Sequence, residues 1–219
     1  MNQYLSKKII FCFWTGENEM SLNRKRCLQN LKKKSASNII LITKKNLQKY
    51  ILPSNPLHPA YNHLSETHKA DYLRTYFMNF HGGGYSDIKE TTGNWNPYFT
   101  NFIKSNKWII GYKEIKGGVA YEPLKNQFND LIGNCSYICR PQTPLTKEWY
   151  TEMLKVLDSK LEHLQKFPST FPQDCAEVSC GKYPIEWNEI LGRIFHRVCY
   201  KYKDKIANNL PKPIFANYR

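Results

Sequence analysis

"KKIIFCFWTG", residues 7–16, is an unbroken apolar run led in by two lysines and closed by Thr15 and Gly16. So short and continuous a run reads as a strand buried on both faces, ending at Gly16. The next stretch, "SLNRKRCLQNLKKK" (21–34), has Ser21 placed as a helix N-cap and turns Leu22, Cys27, Leu28 and Leu31 inward. "NIILIT" (38–43) is then a second buried strand. Strand, helix and strand with continuous apolar runs predict parallel pairing inside an α/β sandwich.

Length and composition bound what else is available. The chain has 219 residues, 41% of them hydrophobic, enough for one sizeable core, and a single domain over 1–219 is expected. The formal charge is +14, and residues 1–50 concentrate it, with eleven Lys and Arg against Glu17 and Glu19. A basic face attracts phosphates, whether in nucleotides, nucleic acid, lipid headgroups or phospholipid-linked glycans; solvated lysines that keep the protein soluble are the plainer account. The seven cysteines form no C-x-x-C pair, so neither a disulfide framework nor a zinc site is indicated, and most are expected to be buried thiols in a reducing cytoplasm. No apolar stretch approaches the ~18 residues of a membrane span, so at most a peripheral membrane association is expected.

The proline-rich "ILPSNPLHPAYNHL" (51–64) reads as irregular chain, and "SETHKADYLRTYFMNF" (65–80) as a core helix. Ser65 caps it, and Ala70, Leu73, Phe77 and Phe80 form its buried stripe. Asp71 and Arg74 lie three apart on a neighbouring face, as either a surface ion pair or the polar edge of a site. Gly82, Gly83 and Gly84 end the helix, the first suited to a left-handed C-cap. "YSDIK" (85–89) follows as a strand whose alternation puts Tyr85, Asp87 and Lys89 on one face. A carboxylate beside an ammonium there suits either an ordinary salt bridge or a phosphate, with or without a metal ion.

Further on, "KWIIGYKEI" (107–115) and "LIGNCSYICRP" (131–141) read as strands, and 143–165 as a strong helix. A last helix is expected from about Ile185 into "YKYKDK", with Glu189, Arg193 and His196 off its apolar stripe. No internal repeat or low-complexity segment occurs.

Taken together, "KKIIFCFWTG", "HKADYLRTYFMNFHGGGYSDIK" and "GNCSYICRPQTPLTKEW" resemble the glycosyltransferases with a DXD sugar-binding motif, a group of initiating mannosyltransferases and capsular or lipopolysaccharide sugar transferases. Order and spacing match over roughly residues 7–150. The resemblance implies a GT-A type nucleotide-diphospho-sugar transferase fold, α/β, with a mixed, mostly parallel central sheet flanked by helices. It implies Trp14, Thr15 and Gly16 beside the nucleotide base, Asp71 at the ribose or sugar, and Arg74 near the diphosphate. Gly83 and Gly84 would let the chain turn under the donor beside Tyr85, and Asp87 would be the first carboxylate of the acidic motif. The expected cofactor is Mn2+ or Mg2+, held by Asp87 with help from His196. The second carboxylate of the family pattern is absent, and Lys89 stands in its place, so a fixed cation is the other way to neutralise a departing diphosphate.

The resemblance further implies transfer with retention. Were a base used, Asp174 and Glu189 are the candidates. The activity implied is transfer of a hexose from a nucleotide-sugar, a UDP-sugar first among them, to a surface polysaccharide, lipopolysaccharide or glycoprotein glycan, the acceptor free or lipid-linked. The place implied is the cytoplasm, at the inner face of a membrane. Two readings compete with it. One is an inactive relative that binds a glycan or scaffolds an assembly. The other is a basic nucleic-acid-binding protein, against which the absence of aromatics interleaved with the basic clusters weighs.

Overall fold

A computed structural model describes residues 2–180 and 182–218. After a short helix α1 (Gln3–Ser6), the chain forms β1 (Ile9–Trp14), α2 (Leu22–Ser35) and β2 (Asn38–Thr43), then α3 (Glu66–Phe80) and β3 (Gly83–Ser86). It continues through α4 (Asn96–Lys104), β4 (Ile109–Lys113), β5 (Ile132–Cys139), α5 (Pro144–Lys166), α6 (Gly192–Lys201) and β6 (Ile206–Ala207). The strands make a six-stranded sheet in the order β2-β1-β3-β5-β4-β6. β1 is parallel to both β2 and β3, β5 is antiparallel to β3 and β4, and β6 is parallel to β4. The expected α/β architecture is therefore present.

The period of two along β1 sends its side chains to different layers. Ile9, Phe11 and Phe13 join the main core with Leu73 and Phe77 of α3 and Trp149 of α5. Ile10 packs with Trp95 and Phe99 on the opposite face, and Cys12 packs with Cys27 and Leu31 of α2. Burial on both faces is why the strand reads as a continuous apolar run rather than an alternating one. Ser21 and Ser65 cap α2 and α3 by accepting from the backbone N–H three residues on, as expected. Gly82 is left-handed at φ 66°, and Phe77 O accepts from both His81 N and Gly82 N.

Several expectations are corrected. Leu22 is 83% exposed, because it is the first residue of α2 and lies beyond the sheet. β2 is an edge strand with only Ile42 fully buried. The strand after the glycines ends at Ser86, so Asp87 and Lys89 follow it rather than belong to it. The last helix begins at Gly192, since residues 185–190 are held in turns by Ala176 N to Ile185 O and Glu189 N to Glu186 O. Most cysteines are buried, as expected: five are, while Cys135 is half-buried and Cys180 is exposed. No described helix is long and apolar enough to cross a membrane.

Sheet order positions the site. The chain leaves β1 in one direction to reach β2 and lies on its other side when it returns as β3. In open α/β sheets a crevice forms at such a switch point, outside the carboxyl ends of the strands.

Candidate functional site

A cavity of about 290 Å³ opens at that switch point. One wall is the end of β1 and its loop, Phe13, Trp14, Thr15, Gly16 and Asn18. Another is the N-terminal half of α3, where Glu66, Ala70 and Arg74 recur at i, i+4 and i+8 and so share a helix face. Tyr85, Asp87, Ile88 and Lys89 form the floor, Arg24 reaches in from α2, and Pro172 and Gln173 close the rim. The loop wall is rigid: the Trp14 indole N–H donates to Asn18 O at 2.8 Å, and the Thr15 hydroxyl donates to Glu66 O at 2.7 Å.

The floor carries a buried ion cluster. Asp87 accepts hydrogen bonds from the Tyr85 hydroxyl and from the Lys89 ammonium. Arg74 Nη2 stands 3.5 Å from Asp87 Oδ1 and 3.0 Å from Asp71 Oδ1, while Nη1 donates to Asn134 O at 3.0 Å. The guanidinium lies over the Tyr85 ring, 4.6 Å from its centroid. Burial alone would raise the Asp87 carboxyl, but Lys89 and then Arg74 outweigh it and hold it well below the usual carboxylate range. Burial pulls Lys89 down, and Asp87 more than restores it. Asp71 is the opposite case: burial pushes it up to about 6 despite Arg74.

These placements sort the expected site residues. Trp14, Thr15, Gly16, Arg74, Tyr85, Asp87 and Lys89 meet at the cavity. Asp71 does not line it; it is 4% exposed and braces Arg74 from behind. Gly83 and Gly84 do not turn beneath the cavity either. They lie in β3 against Ile9 and Ile10 of β1, where a Cβ on Gly84 would come within 3.0 Å of Ile10. Asp174 is buried near the rim, bonded through Oδ2 to Thr170 N at 3.0 Å. Glu189 is committed to Lys160 at 2.6 Å and to Glu186 N at 2.9 Å. His196, on α6, is fully buried, with Nδ1 accepting from Ala120 N at 2.9 Å and Nε2 3.1 Å from Glu114 Oε2. Both its ring nitrogens are therefore occupied, away from Asp87.

Glu66 and Arg24 were not anticipated. The first is legible in hindsight from its i−8 spacing to Arg74. The second carried no signal beyond lying in a basic helix.

The donor set does not fit a divalent ion. Asp87 supplies one carboxylate whose two oxygens already take Tyr85, Lys89 and Arg74. Among the described residues no group of three or more His, Cys, Asp or Glu is placed to hold a metal. An ion on Asp87 would face an ammonium and a guanidinium. Unit charges about 4 Å apart repel by about 4 kcal/mol at an effective dielectric constant near 20, and a doubly charged ion by twice that.

Residues 1–106 match the model of a family described as "Capsular polysaccharide synthesis protein". The match covers a little under half the chain but includes every cavity residue except Pro172 and Gln173. Among solved structures the chain is similar to "PaToxG Glycosyltransferase", with a TM-score of 0.53 and 13% identity over 90% of this chain and 69% of that one. At that identity the likeness speaks for the fold alone. No curated protein gave a significant match. The family match thus spans the part of the chain that builds most of the cavity, and the structural likeness concerns the fold.

A histidine behind the α3 wall predicts a pH dependence. His68 is fully buried, with Nδ1 2.8 Å from the Tyr183 hydroxyl, and burial lowers its pKa from 6.5 to about 4. The fold favours the neutral ring, so this contribution is complete above pH 6.5 and lost as pH falls toward 4. At about 1.4 kcal/mol per unit it amounts to about 3 kcal/mol. Asp71 acts the other way, its contribution being lost as pH rises through about 6. Urea unfolding of the wild type and His68→Gln isolates the histidine: the stability gap should shrink by about 3 kcal/mol between pH 7 and pH 4. A gap constant with pH would refute the assignment.

Proposed function

We propose that the protein transfers a hexose from a nucleotide-sugar, a UDP-sugar first among candidates, to a growing polysaccharide, lipopolysaccharide or glycoprotein glycan. The observation that carries the proposal is the Arg74–Asp87–Lys89 cluster on the floor of a cavity at the sheet's switch point. Bond cleavage at the anomeric carbon leaves negative charge on a nucleoside diphosphate, and prearranged cations in a partly dry site stabilise that charge as it develops. Trp14, its ring fixed by Asn18, offers an apolar surface for the base. Glu189 is tied up with Lys160 and Glu186 N, and Asp174 is buried on Thr170 N, neither of them lining the cavity, which favours transfer with retention, where no protein base need activate the acceptor.

Thermal unfolding in the presence of UDP, GDP, CMP and their sugar conjugates tests the reading. One nucleotide series should raise stability by about 2.7 kcal/mol at a hundred times its Kd. That is a rise in Tm of roughly 5–10 °C for a chain of this size. Silence across all three series would overturn the proposal.

The acceptor side has its own support. Lys25, Arg26, Lys32, Lys33 and Lys34 are exposed on α2, which carries no acidic residue and projects Leu22 into solvent. Such a face suits an anionic membrane surface bearing a lipid-linked acceptor, each basic residue contributing about 1 kcal/mol. Reversing Lys32, Lys33 and Lys34 to Glu should weaken cosedimentation with phosphatidylglycerol vesicles by at least about a hundredfold. Equal binding to neutral phosphatidylcholine vesicles would refute this docking mode.

A further inference from the structure

We infer that this site neutralises the donor diphosphate with fixed side-chain cations, Lys89 foremost with Arg74 and Arg24, instead of a divalent metal ion. The inference deepens the nucleotide-sugar reading above and rests on it for the identity of the anion.

Position is the first argument. Lys89 is only 8% exposed at its side chain, yet it lines the cavity and its ammonium bonds Asp87 Oδ2, while Oδ1 takes the Tyr85 hydroxyl and faces Arg74. A tight turn, Lys89 N to Asp87 O at 2.7 Å, folds it back onto the carboxylate. Its Nζ sits 4.6 Å from the Tyr218 ring centroid and 5.5 Å from that of Phe215, so two aromatic faces hold the charge in place. The Cys135 sulfur, 4.0 Å away, does not offset it, because burial pushes that thiol up to about 12 and keeps it neutral.

Convergence is the second. Arg24 donates to Ile88 O at 2.9 Å and lies over Tyr218, which brings a guanidinium from α2 to the same floor. Arg74 arrives from α3 and Lys89 from the turn after β3, so three separate segments each supply one cation. Against them the cavity lining carries two carboxylates, Asp87 and Glu66. A lining with net positive charge receives an anion directly, whereas a divalent ion would first have to displace Lys89 from Asp87.

Calorimetric titration of the folded protein with UDP and, separately, with inorganic pyrophosphate, each in EDTA and in manganese, tests this. The expected Kd values agree with and without metal to within about threefold. Lys89→Met should weaken binding in EDTA by about tenfold or more, a loss of about 1.4 kcal/mol, and Lys89→Arg should restore most of it. Circular dichroism checks that each variant folds, and the wild-type comparison stands without them. Pyrophosphate binding in EDTA with no response to any nucleotide would support the cation site while removing the nucleotide-sugar reading. The inference is overturned by wild-type binding that requires manganese, by no binding of either probe in EDTA, or by undiminished binding in a folded Lys89→Met. Manganese bound by the protein alone, seen by paramagnetic resonance and lost in Asp87→Asn, would also overturn it.

Discussion

Asp87→Asn should reduce sugar transfer by two to three orders of magnitude and lower stability by about 3 kcal/mol. The amide keeps the shape of the carboxylate but removes the charge on which Tyr85, Lys89 and Arg74 converge. Two buried cations then face each other with only Asp71 left on Arg74. Breaking a buried ion pair by removing one partner costs about 3–5 kcal/mol, and the retained hydrogen-bonding capacity of Asn places the loss at the low end. Activity suffers separately, because Asp87 positions the Lys89 ammonium and the Arg74 guanidinium that meet the departing diphosphate, and misplacing such a prearranged group typically costs about a hundredfold to a thousandfold in kcat. The stability cost has a pH signature. Asp87 has a depressed pKa in the fold, so its contribution is present above its ordinary value and lost as acid titrates it. The gap between wild type and variant, measured by urea unfolding, should be full at pH 7 and close only in strong acid. A folded variant that transfers sugar at the wild-type rate, assayed far below its Tm, would remove Asp87 from the mechanism.

Gly83→Val should cost about 2–5 kcal/mol and leave little folded protein at 37 °C. Gly83 sits at φ 91°, a conformation L side chains rarely adopt, and a Cβ there would lie 3.1 Å from Tyr4 Cβ and 3.2 Å from Ile9 O. Left-handed strain of about 1–2 kcal/mol adds to overpacking of about 1–3 kcal/mol against a strand that cannot retreat. The readout is the denaturation midpoint together with soluble yield. A midpoint within the error of the wild type would show that β3 can move away from β1.

How much of this could be read from the chain differs between fold and site. β1, the capped helices and the left-handed Gly82 were legible because each depends on short-range physics: a continuous apolar run, a serine ahead of a helix, a glycine at its end. The neighbourhood of Tyr85, Asp87 and Lys89 was legible too, though for the wrong reason. Strand alternation predicted it, but the strand stops at Ser86, and the Asp87–Lys89 turn together with Asp87 N on Cys135 O makes the cluster. Off-stripe positions misled. His196 and Glu189 look available on a helical wheel, yet a wheel does not show that Glu114, Ala120 and Lys160 come from other elements to occupy them.

By itself, then, the sequence determined the α/β layering, the start and stop of the main helices, and the presence of an acid, a lysine and an arginine near one turn, because these follow from periodicity, capping and backbone freedom. Tertiary structure alone decided that β1 and β3 lie side by side and open a crevice between them, that Arg24 and Glu66 reach it, and that Asp71 stands behind Arg74 rather than in the cavity. It also decided that the Lys89 ammonium bonds Asp87 Oδ2. The physical reason is that the electrostatics of a buried carboxylate are set by every charge that packing brings near it, and those charges come from α2, α3 and the turn after β3, distant in sequence and joined only by the sheet order.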